Sequence, residues 1–220
     1  MTPVYNIENI APAAGADVFP LRWIYRLEPL AAAVALVVVF PIAVVIGIVI
    51  AILSGRSPLI RHTRVGRRGL PLPMLKFRTM WEKGVPRSYS GLVEDVLDSV
   101  PALKRGADPR VVSKFAAICR RYSLDEIPQL YHVARGQMSF VGPRPITRGE
   151  LDLHYGRHAA EVLQLRPGMT GLWQVLGRSR LNYPRRLKLD MILVRRASPY
   201  LYFWILMRTV PIVIRGYDAC

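Results

Sequence analysis

The sequence predicts a mainly α-helical protein with short extended segments, in which a membrane-embedded helical element carries a basic cytoplasmic body. Three observations support this. Hydrophobic residues make up 51% of the 220 positions, the formal net charge is nevertheless +16, and most of the apolar excess falls in one run. An ordinary soluble domain rarely combines such apolarity with such charge, so the two properties belong to different parts of the chain. The length suits one catalytic-sized unit plus a membrane element. The basic excess points to phosphate-bearing partners: a nucleotide-linked substrate, an anionic lipid surface or nucleic acid. Cys119 and Cys220 are widely separated and lack metal-ligand spacing, which argues against a disulfide framework or a zinc site and favours a reducing cytoplasmic setting.

Residues 1–21 read as a weakly ordered lead-in rich in alanine and proline. Residues 22–54 hold the membrane element, because Leu30 to Leu53 runs without one charged or strongly polar side chain. As a straight helix this stretch would reach about 36 Å, enough for a hydrocarbon core of about 30 Å. It is too long for a signal-peptide core, and Ser54-Gly55-Arg56 makes a poor cleavage site, so it is expected to be retained. Pro41 lies near its middle, where a proline removes one backbone hydrogen bond and kinks a helix. Basic residues flank both ends, Arg22 and Arg26 before it and Arg56, Arg61, Arg64, Arg67 and Arg68 after it. Physics alone leaves two readings open, a kinked spanning helix and a re-entrant hairpin with both ends cytoplasmic, the first ahead of the second.

Residues 55–198 form the expected cytoplasmic body. Turn signals punctuate it at Gly66-Arg67-Arg68-Gly69, Pro71-Leu72-Pro73, Gly142-Pro143-Arg144-Pro145 and Arg166-Pro167-Gly168. Helical patterns fall near Tyr89 to Leu103, Val111 to Arg121, Ile127 to Ala134 and Ile146 to Leu165, with extended pieces near Leu72 to Arg78 and Leu172 to Leu176. The last part, residues 199–220, includes Pro199 to Ile214, which is aromatic and aliphatic but broken by Arg208 and Pro211. It reads as a helix lying in the membrane interface, the alternative being a core helix of the body.

Two segments carry chemistry. In Met74-Leu75-Lys76-Phe77-Arg78 the cations alternate with apolar residues, so a strand would aim Lys76 and Arg78 at one face, placed to grip a diphosphate. In Ser123-Leu124-Asp125-Glu126-Ile127-Pro128-Gln129 two adjacent acids follow Arg120 and Arg121. Ser123 and Glu126 have the spacing of a capping box, but that role leaves Asp125 without a task. Asp125 is ionised at neutral pH and can attack phosphorus without a general base, while Glu126 can hold a magnesium ion against substrate phosphates.

Five motifs, Lys76-Phe77-Arg78-Thr79-Met80, Asp108-Pro109-Arg110-Val111, Ser123 to Leu130, Met138 to Pro145 and Arg166 to Val175, recur in the order found in the bacterial sugar transferases, the monotopic phosphoglycosyl transferases, which the chain resembles over residues 22 to 217. The resemblance implies a fold in which a re-entrant membrane helix-break-helix, broken at Pro41, and interfacial amphipathic helices surround a small cytoplasmic catalytic domain at a bacterial inner membrane. It implies transfer of a sugar-1-phosphate from a UDP-sugar to polyprenyl (undecaprenyl) phosphate with release of UMP, as the first membrane step of a glycan pathway. Asp125 would be the nucleophile in a two-step mechanism through an aspartyl phospho-sugar, and Glu126 the Mg2+ ligand. Arg120 and Arg144 match phosphate-binding positions, Lys76 and Arg78 the basic motif, and Gln129, Thr170 and Gln174 fall in motifs expected to meet substrate. Inner-membrane lipids are implied partners, a homodimer is allowed, and nucleic acid is not a partner.

The chain departs from the family pattern at Arg61-His62-Thr63-Arg64-Val65-Gly66, at Phe40 where a serine is common before the hairpin proline, at Phe115 and at Leu193 to Ser198. These bear on membrane docking rather than on the dyad. The short stretch before Leu21 reads as a minimal catalytic form. His154 and His158 are four apart but lack the glutamate of a zinc motif. Asp190 reads as an ion-pair partner of Arg186. A membrane-tethered nucleic-acid binder would explain the charge but not the paired acids or the glycine-proline turns.

Overall fold

The computed structural model describes residues 21–81, 91–96, 111–177 and 180–216. The lead-in before Leu21, Lys83, Arg87 and Asp108 to Arg110 of the second motif lie outside the described residues.

Helix α1 (Arg22–Ser54) contains the whole apolar run, and its helical assignment continues through Pro29 and Pro41. Pro41 has no N–H to give to the carbonyl of Val37. Gly55 closes the helix in the left-handed region (φ 64°), where its N–H reaches Ala51 O at 2.9 Å; a residue with a Cβ would be strained there. One stripe of α1 faces the body along its length. Ile24 and Tyr25 share a core with Leu193, Tyr202 and Ile205. Ala32 packs with Leu72, Met74 and Val133, and beyond Pro41, Ile46 and Ile50 pack with Phe77 and Cys119. Both arms of the helix therefore rest on the same body. The opposite stripe, including Leu30, Val34, Val37, Val38 and Ile42, is exposed.

After α1, β1 (Leu59–Val65) and β2 (Pro71–Phe77) pair antiparallel from Leu59↔Phe77 to Val65↔Pro71. The Arg67–Gly69 turn joins them, with Arg68 and Gly69 both at positive φ as a tight reversal requires. Strand β3 (Val93–Asp95) adds parallel to β1 on its other side. The helix expected over Tyr89 to Leu103 is thus corrected in its described part, Gly91 to Val96. Docking on the free edge of β1 and the pairing of Asp95 with Arg61 at 2.6 Å override the local helical pattern.

Helix α2 (Lys114–Arg121), the 3-10 segment Leu124–Gln129 and α3 (Leu130–Ala134) follow. The single helix expected over Ile146 to Leu165 is instead four pieces: α4 (Arg148–Glu150), a π turn over Leu151–Tyr155, a 3-10 turn over Gly156–His158, and α5 (Ala159–Val162). Gly156, at φ 44°, breaks the run. A capping box does occur here, between Thr147 and Glu150.

Strands β4 (Ser139–Val141) and β5 (Gly168–Thr170) pair in parallel. Their ends meet backbone to backbone. A Cβ on Gly142 would lie 2.2 Å from Arg166 O, one on Gly168 2.1 Å from Gly142 N, and one on Gly171 2.4 Å from Gly142 O. Leu172 to Leu176, expected to be extended, is helix α6 (Leu172–Leu176): the strand stops at Thr170, and Gly171 O accepts from the N–H groups of Gln174 and Val175. Helices α7 (Tyr183–Arg195) and α8 (Pro199–Arg215) complete the body. Ser198 caps α8 by accepting from Leu201 N–H at 3.2 Å. One face of α8 buries Tyr202 and Ile205, while Tyr200, Phe203, Met207, Val210 and Ile214 form an exposed stripe at three- and four-residue spacing. The outer stripes of the two apolar helices meet where the Trp23 and Phe203 rings lie 6.3 Å apart.

Candidate active site

The dyad sits on the 3-10 segment, and its entry is strained. Ser123 adopts φ 56°, unusual for a residue with a Cβ, and makes no side-chain cap bond. Ser123 and Glu126, which have the spacing of a capping box, therefore do not form one, because an N-cap needs extended backbone. Only the backbone closes the turn, with Glu126 N–H donating to Ser123 O at 3.1 Å. The Glu126 carboxylate turns instead to Lys76, whose Nζ donates to Oε1 at 2.9 Å.

Lys76 is brought there by β2, and β2 is anchored by a residue with no part in the sequence reading. The buried His132 ring accepts from Leu75 N–H through Nε2 at 3.1 Å, with Nδ1 2.8 Å from Gln137 Oε1. An Nε2 that accepts leaves the proton on Nδ1, which then donates to Gln137. Burial lowers the His132 pKa and keeps the ring neutral for this bridge. A histidine in a short amphipathic helix gives no sequence signal of such a role.

Asp125 is half-buried beside the pair. Burial pushes its carboxyl up to about 6, Lys76 opposes the rise, the Glu126 charge adds to it, and Arg120 opposes it again. The group is therefore ionised for the most part at neutral pH. Arg120, in the last turn of α2, also places Nη1 3.0 Å from Met80 Sδ.

Glu126 opens onto a cleft of about 270 Å³. Ile127, Phe140, Met169 and Val175 line it from the body and Leu206, Ile212 and Val213 from α8, with Ser123, Thr170, Gln174 and Thr209 as its other polar lining. Thr209 donates to Ile205 O at 2.8 Å, so the 2.9 Å contact between the two threonine hydroxyls is made by the Thr170 proton. Gln174 Nε2 donates to Met169 O at 3.1 Å, while its Oε1 is buried without a partner. Gln129 is buried at the end of the 3-10 segment.

Two expected site residues are engaged by other partners. Arg78 follows the last residue of β2, and its buried guanidinium donates to Ser57 O at 2.8 Å and Glu94 Oε2 at 2.7 Å. Arg144 lies over the Trp173 ring at 5.8 Å, which Arg186 also approaches at 4.7 Å. This second charged centre holds Asp190, fully buried, accepting from Tyr155 Oη at 2.9 Å with Oδ1 unpartnered. Arg186, the ion-pair partner expected for Asp190, acts on its charge from nearby, while the hydrogen bond comes from Tyr155. Burial raises its carboxyl to about 7 against the pull of the Tyr155 bond, Arg144 and Arg186. His154 stacks on Tyr183 at 3.7 Å.

A magnesium ion fits the donor chemistry at the dyad. Two adjacent carboxylates supply hard oxygen ligands, and the ion characteristically takes one or two of these together with substrate phosphates and water.

Residues 22–216 match a protein-family model described as bacterial sugar transferase. The chain is 39% identical over 189 residues to the exopolysaccharide production protein ExoY of Rhizobium meliloti (strain 1021), covering 84% of this chain and 83% of that one. It is 35% identical over 191 residues to the UDP-glucose:undecaprenyl-phosphate glucose-1-phosphate transferase of Caulobacter vibrioides, covering 86% and 66%. To the undecaprenyl-phosphate galactose phosphotransferase of Salmonella typhimurium (strain LT2) it is 37% identical over 169 residues, 74% of this chain and 34% of that longer one. Likeness of this extent makes the molecule a transferase, an enzyme by class. The chain belongs to the bacterial sugar transferase family.

Proposed function

We propose that this enzyme transfers a sugar-1-phosphate from a UDP-sugar to a polyprenyl phosphate at the cytoplasmic face of a bacterial inner membrane. The observation that carries the reading is the half-buried Asp125, with Lys76 and Arg120 acting on its charge and Glu126 beside it at the mouth of an apolar-walled cleft. The names of the Caulobacter and Salmonella relatives supply undecaprenyl phosphate as the acceptor type, and the Caulobacter name a UDP-sugar as the donor type.

In the first step an Asp125 carboxylate oxygen attacks the sugar-bearing phosphorus. The bond from that phosphorus to the bridging oxygen breaks, and UMP leaves with the electron pair. In the second, a phosphate oxygen of the lipid attacks the same phosphorus, the bond to Asp125 breaks, and the carboxylate is regenerated. Lys76 and Arg120 stabilise the dispersed phosphate charge, and Thr170 and Gln174 meet the substrate within the cleft. Glu126 would hold magnesium, which would supply charge neutralisation on the diphosphate.

The packing of both arms of α1 on one body supports the reading of α1 as a re-entrant helix with both ends on one side of the bilayer. The exposed apolar stripes of α1 and α8 supply a continuous lipid-facing surface. Purified protein with magnesium, undecaprenyl phosphate and a panel of UDP-sugars is expected to release UMP; no release from any of them would overturn the reading. Membrane-impermeant labelling of single cysteines at positions 22 and 63 is expected from the cytoplasmic side only, and opposite sidedness would exclude the re-entrant helix.

A further inference from the structure

The geometry points to His132 as a positioning residue of this site, one that holds the strand edge presenting Lys76 and acts on the reaction through that lysine without touching substrate. This rests on the role proposed above for Lys76 and goes beyond it, by naming what keeps the lysine in place while its carboxylate partner changes.

Lys76 is held at two points. Its Nζ donates to Glu126 Oε1 at 2.9 Å, and the backbone just before it is held where His132 Nε2 accepts from Leu75 N–H at 3.1 Å. Both grips come from one stretch of chain, the 3-10 segment and α3, which together run from Leu124 to Ala134. The two differ in permanence. In the proposed reaction Lys76 turns its charge to the substrate phosphates, so its ion pair with Glu126 opens when substrate arrives. A flexible four-carbon side chain freed at its tip keeps its aim only through its backbone. The Leu75 bond fixes that backbone, and no reactant competes for it.

The surroundings of the ring are built for this task. Strand β2 is an edge of the three-stranded sheet, and Leu75 N–H meets the histidine rather than β1. Gly136, at φ 68°, turns the chain so that the N–H groups of Gln137 and Met138 both donate to His132 O, at 2.9 and 3.1 Å. The same turn brings Gln137 Oε1 to 2.8 Å from Nδ1, which fixes the proton there and leaves the Nε2 lone pair for the strand. Packing of α3 on β2 alone would be served by an apolar side chain, as its neighbour Val133 shows by packing with Leu72 and Met74. Val133 also packs with Ala32, so the short helix that holds the Lys76 strand rests on the membrane element too.

A double-mutant cycle separates positioning from packing. His132→Leu keeps the interior filled and removes the acceptor. It is expected to slow the burst of UMP released without acceptor about 10- to 100-fold, the scale on which residues behind a site act. In a Lys76→Met background the same change should slow the burst less than about threefold, because the group it positions is gone. Equal factors in the two backgrounds would overturn the proposal. His132→Gln offers Oε1 to Leu75 N–H and should recover most of the rate; a variant as slow as His132→Leu would also overturn it. The second measurement needs no turnover. A water-soluble acylating reagent, mapped by mass spectrometry, should modify Lys76 about threefold faster or more in His132→Leu, as local loosening of the strand would allow, while the exposed Lys114 and Lys188 keep their rates. Gln137→Ala, at an exposed position that leaves the interior intact, should change the burst and the Lys76 acylation in the same directions by smaller factors. Unchanged Lys76 acylation in both variants would refute the role. A wild-type protein that releases no UMP would refute the proposed function, while the acylation rates would still decide whether His132 holds Lys76.

Discussion

Asp125 and Asp190 both lie in basic surroundings, yet the molecule keeps them in different ways. Asp125 is half-buried on a strained turn beside a cleft, its charge countered by Lys76 and Arg120. Asp190 is fully buried on a regular helix, takes a hydrogen bond from Tyr155, and leaves its other oxygen unpartnered. Burial raises both carboxyls, to about 6 and about 7. The difference is access. A carboxylate that attacks phosphorus must reach the reactant, whereas one with no exposed surface can act only through its neighbours, here Arg144 and Arg186.

The comparison can be broken most directly at the nucleophile. Asp125→Asn is expected to lower turnover by at least about 10³-fold, as loss of a covalent nucleophile does, and to leave no phospho-sugar adduct on the protein by mass spectrometry. An active variant would remove Asp125 from that role. Asp190→Asn is expected to form the adduct still, at a rate lower by about one to two orders of magnitude, the scale on which supporting residues act through the groups they orient. Complete loss of adduct in a folded Asp190→Asn protein would erase the distinction.

The buried acid also predicts a pH dependence of stability. The native Asp190 carboxyl, near 7, lies above the ordinary carboxylate value near 3.9, so between these values the native state holds a proton that the unfolded chain has released. This contribution is fully present below about pH 4 and is lost as pH rises through about 7, with a slope approaching about 1.4 kcal/mol per pH unit between. Melting temperatures from pH 4 to 8 should show a shallower dependence in Asp190→Asn; identical slopes would mean that Asp190 is not held neutral. The smallest effect belongs to Tyr155→Phe. It leaves Asp190 without its donor and should cost about 1–3 kcal/mol in denaturant unfolding while adduct formation persists.

The parts of this arrangement that were legible in the sequence are those set by local pattern. The apolar run, the alternation that makes β2 a strand, and the pairing of two adjacent acids need only a few adjacent residues. The rest depended on partners distant in the chain. Arg78 follows Lys76 by two positions, as alternation requires, but β3 brings Glu94 against it and Ser57 O accepts its Nε, which draws it into the body. Arg144 lies in a turn motif where the family resemblance implies a phosphate contact, yet it sits over the Trp173 ring in the second centre beside Asp190. Glu28 sits at the start of an apolar helix, where sequence offered no reason for a buried carboxylate. It accepts from Phe140 N–H at 2.9 Å and Tyr202 Oη at 2.6 Å, tying α1 to β4 and α8. Ser123 and Glu126 have the spacing of a capping box without forming one, because one backbone angle, invisible to spacing, decides whether a serine can cap.

The contact among Gly142, Gly168 and Gly171 has a consequence for how such a protein can change over generations. With each missing side chain replaced by another segment's backbone at 2.1 to 2.4 Å, even one added methyl at any of the three would push β4 and β5 apart. Two motifs more than twenty positions apart are thus a single inherited object, and drift in one cannot be absorbed by the other. Room for variation lies in the side chains around that joint, Met169, Thr170 and Gln174 on one wall of the cleft and the inner face of α8 on the other. The joint itself stays fixed while the cleft beside it is free to diversify.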